Sequence, residues 1–181
     1  MFARTKRLTL RPGWPEDAAA LATAIAHEDV VTRISRAPWP YTEANAAAFL
    51  GPPADPREPR FVICSHDGGA PRLIGTIGLR ALDHAHELGY WLTPDSWGRG
   101  YATEAGRAVV DIARHALPIR RLTAGYFIDN PASGNVLRKL GFHDTGRREL
   151  VQSLGRGMAV ETVRMELQLD ADHHSAMPIA A

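Results

Sequence analysis

The chain has 181 residues, a length that suits one domain with a sizeable hydrophobic core. Its 21 Lys and Arg against 20 Asp and Glu leave a net charge of +1, without the overall basic excess of a nucleic-acid binder, and 45% hydrophobic content excludes bulk disorder. A single cysteine, Cys64, and the absence of C-x-x-C or H-E-x-x-H spacing exclude a disulfide or zinc framework; with no signal-peptide pattern and no run of about 18 apolar residues, the expectation is a soluble cytoplasmic protein.

Arg7 to Arg11 alternates polar and apolar with period two, the pattern of a half-buried strand, and Pro12-Gly13 ends it. From Pro15, Ala18, Leu21 and Ile25 recur at helical spacing and predict a first helix. Two prolines keep Ala37 to Tyr41 irregular, after which Thr42 offers an N-cap for a second helix over Glu43 to Leu50, with Asn45 at the capping-box position. Gly51 to Pro59 holds four prolines and reads as a linker within the domain. Phe61 to Cys64 and Leu73 to Leu79, separated by Asp67-Gly68-Gly69, predict an antiparallel hairpin. Leu88 to Leu92 is a further strand, closed by Pro94-Asp95. A long helix is expected from Tyr101 to Ala116, with Ala105, Ala108, Val109, Ile112 and Ala113 as its buried stripe. Then come a strand over Leu122 to Ile128, a short helix over Ala132 to Leu140 stopped by Gly141, and a weaker strand over Arg148 to Val151. In the last strand Val163, Met165, Leu167 and Leu169 point one way, and Arg164, Glu166 and Gln168 the other. Residues 171–181 show no period and read as a frayed tail behind a domain of residues 1–170. The order predicts a single mixed α/β (α+β) layer rather than equal βαβ repeats.

Trp97-Gly98-Arg99-Gly100-Tyr101-Ala102-Thr103 lies between a strand and a helix. Glycines there let backbone approach a ligand, and the first N–H groups of the helix point outward with the positive end of its dipole behind them. The segment is either an anion seat suited to a pyrophosphate or plain turn chemistry. It matches neither G-x-x-x-x-G-K-[ST] nor a dinucleotide G-x-G-x-x-G with its acidic partner.

Gly89-Tyr90-Trp91-Leu92, Trp97 to Ala105, Asn130-Pro131-Ala132-Ser133 and Lys139-Leu140-Gly141-Phe142, in this order, resemble the GNAT superfamily of acetyl-CoA-dependent N-acetyltransferases. The RimJ/RimL-like branch, whose members act on ribosomal-protein N-termini, is the most similar, since Arg4 to Pro12 and Trp39-Pro40-Tyr41-Thr42 also fit its opening. The resemblance implies a single GNAT-like domain: a mostly antiparallel mixed sheet of about six to seven strands with about four flanking helices. It implies acetyl-CoA as co-substrate and no metal. Its [QR]-x-x-G-x-[GA] turn falls on Trp97 to Ala102, with Trp97 in place of the usual Gln or Arg, and with Gly98, Arg99, Gly100, Tyr101 and Thr103 around the cradle. Trp91, Leu92 and Thr93 belong to a strand expected to splay from its neighbour and take the pantetheine, a backbone N–H near Leu92 polarising the thioester carbonyl. Asn130 is expected to bond the pantetheine arm; on local chemistry alone it is a turn residue that starts a helix.

Acetyl transfer needs an amine that has lost its proton. At pH 7 that costs roughly 4–5 kcal/mol for a lysine-type amine and about 1 for an α-amine. By the resemblance Glu87 activates the amine, directly or through water; by local chemistry it is a solvated carboxylate at a strand start. His84 and His86 rank behind it, His86 facing the opposite side of the strand. Leu137 stands where many family members carry a tyrosine acid, and Ser133 falls at the branch's position near the coenzyme sulfur, or is only a residue of a first helical turn. Cys64, on a buried strand, is a poor acyl carrier, so direct transfer in a ternary complex is expected. Trp39 and Tyr41 are the candidate acceptor-site aromatics. The acceptor is then a small-molecule amine or a protein N-terminus, with no nucleic acid and no membrane as partner, and exposed sheet edges are compatible with a homodimer. A non-catalytic acyl-CoA sensor or interaction module on the same fold is the rival reading.

Overall fold

The computed structural model describes residues 1–51, 55, 57–82 and 85–169. Its strands are β1 (Ala3–Arg4), β2 (Leu8–Arg11), β3 (Arg60–Ser65), β4 (Arg72–Leu82), β5 (Ala85–Leu92), β6 (Arg121–Phe127), β7 (His143–Ser153) and β8 (Met158–Gln168). They form one sheet in the order β1-β2-β3-β4-β5-β6-β8-β7. Among the described neighbours only β5 and β6 run parallel. The helices are α1 (Ala18–Ile25), α2 (Glu28–Val31), α3 (Glu43–Leu50), α4 (Tyr101–Ala116) and α5 (Pro131–Lys139), with short 3-10 turns at Pro15–Asp17 and Pro94–Ser96. The α/β class is as expected, with eight strands rather than six to seven and five helices rather than four.

Period-two alternation divides the sheet into two faces. Leu8, Leu10, Phe61, Ile63, Ile77, Leu79, Leu88 and Leu122 are buried in one core with Ala105, Val109 and Ala113 of α4. Ala18, Leu21 and Ala46 of α1 and α3 form a second cluster on which Leu73 and Trp91 pack, and Ile25, Val30, Val31 and Ala37 a third, again touching Trp91. Thr42 caps α3 as anticipated: its hydroxyl accepts from the Asn45 N–H, and the Asn45 side chain accepts from the Thr42 N–H.

β4 can lie close to β5 because Gly75 has no side chain. A Cβ there would come 2.1 Å from the Trp91 carbonyl oxygen, which is backbone and cannot swing away. Gly75→Ala is expected to destabilise the protein by about 3 kcal/mol, the upper part of the overpacking range, and to lower Tm by on the order of 10 °C. A thermal scan unchanged within 2 °C would contradict this packing.

Two elements were too short to leave a periodic signal: β1, with two residues, and α2, with four. β7 runs for 11 residues rather than four; most of its side chains are exposed, and its pairing with β8 shifts register between Asp144 and Arg148, so its sequence carries little apolar alternation. The proposed linker lies partly, and His84 and the tail wholly, outside the described residues.

The turn between β7 and β8 crosses to the segment after α2. Leu154 donates its N–H to Ser35 O at 2.9 Å, Ser153 Oγ to Ile34 O at 3.4 Å, and Arg156 Nε to Thr32 O at 2.6 Å. Gly155 fits beneath Val31, whose carbonyl oxygen would be 2.7 Å from an added Cβ. Arg156 also pairs with Asp129 at 2.7 Å.

Candidate active site

β5 and β6 pair only at His86↔Leu122 and Glu87↔Thr123. Beyond Glu87, β5 stays with β4 and β6 stays with β8, so the sheet opens into a V. Thr93 gives its N–H to Ile74 O across β4 at 2.8 Å; by strand alternation the Leu92 N–H faces the other edge, into the V. The indole Nε1 of Trp97 donates to the Leu92 carbonyl at 2.8 Å. Trp97 thus does not act as the donor that Gln or Arg would supply to an anion; it closes off the carbonyl at the mouth of the V. A cleft of about 880 Å³ runs from here to Glu87.

At the mouth, Gly98 and Gly100 hold φ of 71° and 80°, a region that favours glycine. Gly100 is the N-cap of α4 with no side-chain cap, and the first intrahelical bond is Glu104 N–H to Gly100 O at 3.0 Å. The N–H groups of Tyr101, Ala102 and Thr103 therefore lie free at the positive end of a 16-residue helix. Their side chains do not face the cradle equally. Tyr101 is buried and donates to Asp67 Oδ2 at 2.5 Å, and Thr103 is buried, so both offer an anion backbone only. Arg99 lies beside the Tyr101 ring, 5.0 Å from its centroid. The glycine turn and the free N–H groups fit a pyrophosphate. Thr93 turns its hydroxyl to Asp95 Oδ1 at 2.6 Å, away from the V.

Glu87 stands at the closed end, its side chain only 16% exposed. Oε1 accepts from Arg164 at 2.8 Å; Oε2 accepts from both Arg80 at 2.7 Å and Arg36 at 2.9 Å. Burial pushes its carboxyl upward, but Arg80 and Arg164 outweigh this and hold it below the usual glutamate value. Glu87 is thus an ionised, heavily engaged carboxylate rather than a solvated one. Burial, and next the charge of Arg80, lower the pKa of Arg36. His86 is buried on the opposite face, burial lowers its pKa, and among the described residues its Nε2 has no hydrogen-bond partner.

Ser133 and Asn130 sit where α5 begins. Asn130 Oδ1 accepts from the Ser133 N–H, a capping bond, and both residues line the cleft. Ser133 Oγ lies 2.8 Å from the hydroxyl of Tyr90, whose pKa burial pushes up to about 12. Tyr41 lines the cleft and packs beside Trp91; Trp39 is 43% exposed and stands outside the lining. Cys64 is buried on β3, outside the lining, its thiol pKa raised by burial. Among the described residues no cluster of His, Cys, Asp or Glu could hold a metal, and no helix is long and apolar enough to cross a membrane.

Sequence reasoning missed the Tyr90 hydroxyl and the arginines around Glu87. Arg164 had a signal: the alternation put it opposite Val163 and Met165, on a face that borders the cleft rather than open solvent. Arg80 lies directly across the β4–β5 ladder from Glu87, a register that depends on β4 continuing past Leu79.

The profile of the Acetyltransferase (GNAT) domain matches residues 7–143. An uncharacterized N-acetyltransferase, YoaA of Bacillus subtilis (strain 168), is 32% identical over 148 residues, 78% of this chain and 82% of that protein. The ribosomal-protein-S5-alanine acetyltransferase of Vibrio fischeri superposes with a TM-score of 0.78 at 19% identity, over 94% of this chain and 97% of that one. Spermidine N-acetyltransferase of Vibrio cholerae, solved with CoA and spermine, gives 0.75 at 17% identity, over 91% and 97%.

Proposed function

From the premise that the chain belongs to the GNAT family and is an acetyl-CoA-dependent N-acetyltransferase, we propose that it acetylates a primary amine directly, in a ternary complex, in the manner of the RimJ/RimL-like branch. The acceptor class is a small-molecule amine or a protein α-amine in the cytoplasm. The observation that carries this reading is the single cleft from the α4 N-terminus through the V to Glu87, in which both substrates can meet without an acyl-enzyme. Cys64, buried outside it, is no carrier.

Acetyl-CoA supplies an activated acyl group and a thiolate leaving group. The N–H groups of Tyr101, Ala102 and Thr103 hold the diphosphate, and the Leu92 N–H receives the charge that develops on the carbonyl oxygen. Trp91 and Trp97 line the pantetheine path, and Asn130, which caps α5 through its Oδ1, has its amide NH2 to offer the pantetheine. Tyr90 keeps its proton at neutral pH and bonds Ser133, so the pair can offer a hydrogen bond from Ser133 Oγ to the departing thiolate, which takes up the proton that the attacking nitrogen sheds. Glu87, already ionised, attracts and orients the ammonium form before it loses its proton.

Thermal unfolding with acetyl-CoA at about 100 times its Kd should show about 2.7 kcal/mol of added stability and a Tm rise of several degrees, with no rise for ATP or NAD. Initial rates of thiol release, with both substrates varied, should give intersecting reciprocal plots. Parallel plots would establish a covalent acetyl-enzyme and end the direct-transfer reading.

A further inference from the structure

The closed end of the cleft is charged in one direction. Arg33, Arg36, Arg60, Arg80, Arg164 and Lys139 line the cavity, and among the described residues Glu87 is the carboxylate that lines it with them. These cations divide by position. Arg33 lies over the ring of Trp97, 5.0 Å from its centroid, and so stands with the glycine turn at the coenzyme end. Arg36, Arg80 and Arg164 surround Glu87 where β5 and β6 are still paired. Arg60 sits on the same sheet face, paired to Gly78, which is itself opposite Gly89. Its guanidinium is held by the carbonyls of Phe49 and Gly51, each at 2.8 Å, and among the described residues it has no carboxylate partner.

Three guanidiniums therefore share one carboxylate at the acceptor end. Arg164 is anchored by a second carboxylate, Glu149. Among the described residues Arg36 and Arg80 have no such second ion pair: each donates to the same oxygen, Oε2, and their side chains are 58% and 45% exposed. Apart from the more distant charge of Glu58 on Arg36, they share that one carboxylate, and their exposure leaves them room to turn into the cleft, which both line. A polyamine or a lysine-rich segment would bring further positive charge into this end, against repulsion. An amine with its own negative group would complete it, the ammonium to Glu87 and the anion to the guanidiniums.

We infer that the acceptor is an anionic or zwitterionic amine, a primary amine with a carboxylate or phosphate a few bonds away, held by Arg36 and Arg80 beside Glu87. This rests on the acetyl-transfer reading and narrows its substrate class. A free small molecule and the N-terminus of an acidic peptide share this chemistry.

The test uses the full chain, acetyl-CoA and amines matched except for charge: phosphoethanolamine against ethanolamine, aspartate against its diamide, and peptides that begin Asp-Glu or Lys-Lys. Within each pair the anionic member should have a kcat/KM at least tenfold higher, and the larger of the small-molecule and peptide effects identifies the source. Arg36→Gln and, separately, Arg80→Gln should remove most of that preference while the KM for acetyl-CoA stays within twofold. Arg36 lies on an exposed loop, so its variant still reads the effect should Arg80→Gln misfold. Equal use of both members, or preference for the cationic one, overturns the inference with acetyl transfer intact. Calorimetric titration of phosphoethanolamine and aspartate into the CoA-loaded protein separates the two readings. Binding of these anionic amines with no acetylation of any amine in the set would defeat the transfer reading, and with it their role as acceptors, while locating a charge-selective amine site; turnover of amines with neither binding nor turnover of an anionic one would defeat the inference alone.

Discussion

Gly100→Glu is expected to abolish acetyl-CoA binding, with at least a 100-fold rise in Kd, equivalent to about 2.7 kcal/mol. Gly100 is the left-handed residue that ends the glycine turn and starts α4, with φ of 80°. A glutamate adds a negative charge where three free N–H groups and the helix dipole await one, and also strains the backbone by roughly 1–2 kcal/mol. The two effects separate experimentally. The atom nearest to a new Cβ is Arg7 Nη2 at 3.6 Å, an ordinary contact, so the variant should fold. Gly100→Ala carries the strain without the charge and should bind acetyl-CoA within tenfold of the parent. Calorimetry reads both. Tight binding by the glutamate variant would remove the α4 N-terminus from the coenzyme site.

Glu87→Gln tests the other end of the cleft. It leaves three guanidiniums without their shared charge. Losing one partner of a fully buried pair costs about 3–5 kcal/mol, but Arg36 and Arg80 are more than a third exposed, and solvent screening reduces the expected loss to about 2 kcal/mol, or 4–8 °C in Tm. The KM for the amine should rise at least tenfold, that for acetyl-CoA should not change, and kcat should fall by less than about tenfold. The pH dependence distinguishes an anchor from a base. The folded pKa of Glu87 is depressed, so its stabilisation is present above the ordinary glutamate value near 4.5 and is lost as pH falls through the depressed one. Between pH 6 and 9 it has no proton to lose, and the rise of kcat/KM there follows the amine. Glu87→Gln should keep that limb. Its disappearance would return Glu87 to the role of base.

Much of this site was legible in the sequence because its parts are local. A glycine turn before an amphipathic helix, a cap at Asn130-Pro131 and the Gly-Tyr-Trp-Leu strand each depend on neighbours a few residues away, and α3 and α4 fell on the expected residues. What could not be read is the meeting of distant residues. Arg36, Arg80, Glu87 and Arg164 come from a loop and three strands, up to 128 positions apart, and their convergence follows from sheet order and register. Trp97 shows the same limit in one residue. Its place in the turn was clear, but its bond to Leu92 O required the orientation of the indole. The isolation of Trp39 from the cleft, and the inward turn of Tyr101 and Thr103, are likewise set by packing that local pattern does not encode.

The crossing of the β7–β8 turn to residues 32–35 bears on how the protein is made. Those bonds join segments about 120 positions apart, and they hold in place the stretch that carries Arg36. During synthesis the glycine turn and α4 emerge well before Ser153 to Arg156, so this brace, and the β6–β8 pairing that completes the core under α4, form only when the chain is nearly finished. Contacts of such long separation close late and slowly. This brace is therefore among the last contacts to form, and a chain cut short before β8 would lose not only the brace but also Val163 and Met165 from the core on which α4 rests.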